Sequence, residues 1–256
     1  MGIAVPEHTE ATRAVLERHG YEDVRALGGQ SVTYLLEATV DGTRCLVTTR
    51  SSRVNAGVPT QLDYAAPGIL PLRGIFTLDE VTVLVEELGA GVPVVDTLSP
   101  EELVFVVGSI GRTLQALHAA GRLAHGLRPE MIFTRGDAGQ RRLAGYTPRQ
   151  LVFLTGAFDA VLDGVHLFTE LWSPLDAAPS TASDVFSLAA CAVKLATGHH
   201  PFTDDRYKQL PAMMRGERGG PRLAGGFGAL IDRALATDPA ARPQLGALLD
   251  GLAVSR

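Results

Sequence analysis

A chain of 256 residues, 46% of them hydrophobic and 20% charged, has the composition of an ordinary globular protein and the length for one large domain or two small lobes. Its net charge of -5 excludes a general nucleic-acid or anionic-membrane surface, which needs a basic excess. No run approaches the ~20 apolar residues of a membrane span, and the N-terminus carries acids early without an apolar core, so no signal peptide is expected. Cys45 and Cys191 match no metal-ligand spacing and read as buried, reduced thiols. A cytoplasmic chain is therefore expected, free or as the cytoplasmic part of a longer membrane protein. All but two of the 23 basic residues are arginines, and no lysine precedes Lys194.

In chain order, Pro6 to His19 predicts a leading helix, with proline near its start, Ala11, Val15 and Leu16 at helical spacing, and Gly20 at its end. The period then changes. VRAL, VTYLLEAT, TRCLVTT, GIFTL and VTVLVEEL are short, rich in β-branched residues and divided by turn pairs such as Asp41-Gly42 and Asp79-Glu80. That pattern predicts five antiparallel strands.

After about Asp96 the pattern is helical. Ser99 and Glu102 make a capping box with Pro100 at the first helical position, and Leu103, Val106, Val107, Ile110, Leu114 and Leu117 follow at helix spacing. Asp184 to Thr197 is apolar nearly all round and stops at Gly198, as a buried central helix does. A last helical region, Phe227 to Leu252, is interrupted at Asp238-Pro239 and Arg242-Pro243. A sheet followed by helices predicts an α+β arrangement in two lobes, residues 1–90 with the leading helix and 91–256 mainly helical.

Three passages carry a family likeness: LHAAGRLAHGLRPEMIF, SDVFSLAACAVKLATGHHPF and ALATDPAARPQLGALL. In order and spacing they resemble the catalytic loop, central helix and closing helices of a eukaryotic-type Ser/Thr protein kinase domain, of the sort bacteria also carry. The likeness extends over nearly the whole chain, 1–256, and implies a two-lobed kinase fold with a five-stranded antiparallel N-lobe sheet and a mainly helical C-lobe.

Kinase chemistry needs a glycine-rich turn over the phosphates, a lysine on the third strand, a glutamate holding it, a base and metal ligands. Carried over residue by residue, the resemblance finds these positions substituted. In ALGGQSVTY only Gly28 falls on a family glycine. The lysine position falls in RCLVTTR on Thr48 or Thr49, with Thr49 taken as the match. The stretch before the fourth strand holds proline and glycine, so the helix that would carry the partner glutamate is expected to be shortened or missing. Gly126 stands at the base Asp, Met131 at the metal-binding Asn and Gly145 at the Asp of D-F-G. Glu86 and Glu87 occupy the residue guarding the adenine pocket and the hinge, where a carboxylate disfavours an apolar purine slot.

What remains of the motif set is structural. Asp184 matches the acid that holds the catalytic-loop backbone from beneath, and Arg242 the arginine of a pair whose usual glutamate is here Leu175. Either Asp176 takes that place or the pair is lost. The adjacent His199 and His200 read as polar surface in an exposed turn, and no metal site is expected.

The reading is a pseudokinase: not an enzyme, using no cofactor, and serving as a protein-binding scaffold or regulator in phosphorylation signalling. The expected partner is an active Ser/Thr kinase or a phosphothreonine-reading domain, with Thr147, Thr155 and Thr169 as candidate phosphosites. The alternatives are an atypical nucleotide-binding phosphotransferase and a kinase-derived domain that senses a small molecule.

Overall fold

The computed structural model describes residues 7–30, 33–51, 68–78, 81–88, 91–94, 97–124, 127–135, 151–154, 172, 174–176, 178 and 180–254. The chain divides into two compact units. The first draws its described residues from Met1–Ala65 and Leu70–Ala90, the second from Ala66–Ile69, Gly91–Asp159 and Gly164–Arg256.

In the first unit a helix α1, Glu7–Arg18, precedes strands β1 Glu22–Gln30, β2 Thr33–Val40, β3 Thr43–Ser51, β4 Leu72–Leu78 and β5 Val81–Glu87. They form one antiparallel sheet in the order β1-β2-β3-β5-β4. The β2–β3 turn needs two left-handed residues, which Asp41 (φ 49°) and Gly42 (φ 70°) supply. Alternation along the strands then separates two faces. One carries Leu36, Ala38, Cys45, Val47, Val83 and Val85, all buried, and Leu16 of α1 and Tyr21 pack with them. Burying a side chain of Leu16's size contributes about 1.5–3 kcal/mol, which holds α1 on this face.

The second unit contains a three-stranded sheet, β6 Gly91–Pro93, β7 Ile132–Arg135 and β8 Leu151–Leu154, in that order. Its helices are α2 Pro100–Ala119, α3 Thr181–Thr197, α4 Arg206–Arg215, α5 Gly225–Ala234 and α6 Leu245–Val254. The capping box of α2 forms as read: the Glu102 N–H donates to Ser99 Oγ at 3.3 Å, and the Ser99 N–H to Glu102 Oε2 at 2.8 Å. Helix α3 begins three residues before Asp184, because Ser180 and Ser183 cap each other there; it ends at left-handed Gly198. Every residue of α3 from Ser183 to Val193 is buried, which makes it the centre of its unit. Asp238 caps the 3-10 turn Pro239–Ala241 between α5 and α6.

Helix α4 has no counterpart in the sequence reading. Pro211 in its interior and weak apolar periodicity hide it, although Asp205 caps its start and left-handed Gly216 its end. Among the described residues no helix is long and apolar enough to cross a membrane. The expected shortening or loss of the helix between β3 and β4 falls on residues 52–67, outside those described.

Candidate functional site

The unbroken pairing of β2, β3 and β5 decides which residues share the second face of the first sheet. Glu37 lies opposite Leu46 and Leu46 opposite Glu86; one step along, Leu35, Thr48 and Leu84 align. Thr48 therefore shares its face with Glu86. Thr49 pairs with Tyr34 and Val83 and lies on the other face, with Cys45 and Val47. The two threonines offered for the lysine position therefore part: Thr48 shares the face of Glu86, and Thr49 that of Cys45 and Val47. A one-residue shift in a strand reverses the face, and sequence alone does not fix that shift.

That face is buried, and it sets polar side chains among Leu46 and Leu84. Thr48 is 1% exposed and, among the described residues, its hydroxyl has no hydrogen-bond partner, an arrangement that costs free energy. Glu86 is 2% exposed. Glu37, which the sequence reading passed over, is held by two arginines. Arg44 grips it in a fork, Nε to Oε1 and Nη2 to Oε2, both 2.8 Å, and Arg25 Nη2 donates to Oε1 at 2.8 Å. The hydrogen bond from Arg44, helped by Arg25, holds the Glu37 carboxyl below its ordinary value against the opposing effect of burial. Only strand pairing brings these three residues together, and no spacing in the sequence marks them.

Gly28 sits in β1 opposite Leu35, just past a register shift at Ala26/Gly28. Pairing continues to Gln30 and Thr33, so a two-residue connection joins β1 to β2. Glu87, half-buried, accepts a long hydrogen bond of 3.4 Å from Arg73 Nε.

In the second unit Asp184 is fully buried at the first turn of α3. Its Oδ2 accepts from the Ala124 backbone N–H at 2.9 Å and lies 2.8 Å from His118 Nε2 at the end of α2. One carboxylate thus ties α2, α3 and the backbone entering the AHGLRPEMIF stretch. Met131, 2% exposed, closes a 3-10 turn Pro129–Met131 and fills space as an apolar side chain. Gly126, Gly145, Thr147, Thr155 and Thr169 lie outside the described residues.

Arg242 finds its partner in Asp176. Nη1 and Nη2 reach Oδ2 and Oδ1, each at 2.7 Å, and the remaining donors go to the carbonyls of Ala236, Thr237 and Ala182. The guanidinium also lies 5.1 Å from the Phe186 ring centroid. Ser183 Oγ donates to Asp176 Oδ2 at 2.8 Å, so the pair is anchored to the start of α3. Leu175, in the place of the usual glutamate, is 46% exposed.

The histidine pair divides. His199 is exposed, with Nδ1 2.6 Å from Asp204 Oδ2. His200 is fully buried, packs edge-on against Trp172 at 4.7 Å and accepts the Phe202 N–H at Nδ1, so the exposed-turn reading fails for it. The His200 backbone N–H and the His199 ring lower the Asp204 carboxyl below its ordinary value. Among the described residues no group of three or more His, Cys, Asp or Glu could hold a metal ion.

No family model and no curated protein matches the chain. Its structure is similar to that of the kinase domain of Mycobacterium tuberculosis PknI, with a TM-score of 0.63 and 18% identity over 93% of this chain and 96% of that one. Two mutant forms of the same domain give TM-scores of 0.61 and 0.62 at 17% identity, each over 92% of this chain and 95% of that one. The chain has the two-lobed α+β fold of a protein kinase. This corrects the expectation that it is not an enzyme. The neighbours that share its fold are kinase domains, which are enzymes, and substituted motif positions do not demonstrate inactivity.

Proposed function

We propose that the chain is a signalling domain of the protein-kinase fold that works in the cytoplasm by binding other proteins, as a scaffold or regulator of phosphorylation. One contrast carries this reading. The buried contacts that hold the helical unit together, Asp184 to Ala124 and Asp176 to Arg242, are complete, while the sheet face that carries Glu86 presents Thr48 and the clamped Glu37 instead of a lysine. A kinase spends that lysine on nucleotide phosphates.

The partner in this reading is an active Ser/Thr kinase or a phosphothreonine-reading domain, engaged through Thr147, Thr155 or Thr169. Added phosphate supplies the charge such a reader recognises. The test treats the chain with an active Ser/Thr kinase and measures its binding to a purified phosphothreonine-reading domain. Binding that appears on treatment and vanishes when all three threonines are alanine supports the reading; binding indifferent to both removes it.

The likeness to kinase domains favours a second reading, in which the chain transfers phosphoryl groups through a site of its own design. Incorporation of radiolabel from ATP above a boiled control, abolished by Glu86→Gln, would place this reading first.

A further inference from the structure

We draw no further inference here: the strongest candidate, the open polar pocket between the α3–α4 and α4–α5 loops of the second unit, lined by His199, Thr203, Asp204, Asp205, Gly219 and Gly220, carries nothing, because Asp204 is already met by His199 at 2.6 Å and Asp205 by Lys208 at 3.2 Å, and no second feature of its wall points to a ligand.

Discussion

Asp176 and Arg242, 66 residues apart, meet in a bidentate pair with both nitrogen–oxygen distances at 2.7 Å, and the arginine side chain is wholly buried. The pair joins the segment before α3 to the turn before α6. Removing one partner strands the other charge in the interior, so Arg242→Met or Asp176→Asn should destabilise by about 3–5 kcal/mol. Replacing both should cost less than the sum of the two. Thermal unfolding of the two single variants and the double variant checks this; additive losses would mean that the ions do not act as a pair.

Glu37 predicts a pH dependence. Its folded carboxyl lies below the ordinary value of 4.5 because Arg44, and then Arg25, bind the ionised form. Stability from this group is fully present above that ordinary value and is lost as pH falls through the lowered folded one. Glu37→Gln should cost about 1.5–3 kcal/mol at neutral pH and flatten the fall in stability below about pH 4.5. Urea unfolding of both forms at neutral pH and in the acid range reads the difference.

Thr48 and Thr49 predict opposite responses to one substitution. Thr49→Lys drives an ammonium into the face of Cys45, Val47 and Val83 and should cost about 3 kcal/mol or more. Thr48→Lys enters the face of Glu37 and Glu86, where carboxylates offset the burial of charge, and should cost at least about 1 kcal/mol less. Paired melting curves rank the two, and the reverse order would show that the faces are assigned the wrong way round.

Asp184 should matter to the segment it holds as well as to the whole. Asp184→Ala leaves the Ala124 N–H and His118 without their acceptor inside the second unit. A loss of about 1–3 kcal/mol is expected, with faster hydrogen exchange at Ala124 than in α5.

Mg-ATP should stabilise the native chain weakly. A kinase with its lysine at ~100 times the dissociation constant gains about 2.7 kcal/mol, or roughly 5–10 °C in melting temperature at this size. With Thr48 on the face of Glu37 and Glu86 and no lysine in the first unit, millimolar Mg-ATP should raise the melting temperature by less than about 1 °C. Thr48→Lys is the informative comparison, since a rise restored there would identify the missing cation as the cause.

Local signals were legible because each is written within one turn or one strand. Ser99 with Glu102 set the start of α2, Gly198 the end of α3 and Asp41-Gly42 the β2–β3 turn; the order of sheet and helices pointed to two lobes, and the resemblance of three passages implied the kinase-like fold that the solved PknI domain shares. Relationships across long sequence distances were decided only in three dimensions. Leu175 left the partner of Arg242 open until Asp176 was brought within 2.7 Å of it, and two neighbouring threonines could be told apart only by strand register, because side chains alternate and one residue reverses the face. Arg25, Glu37 and Arg44 carry no mark in the sequence; three strands must pair before two guanidinium groups can close on one carboxylate. The face of α4 was hidden for the opposite reason, since Pro211 disguises the helix and only burial of Ala212 and Met213 shows that Tyr207 and Met214 are left outside.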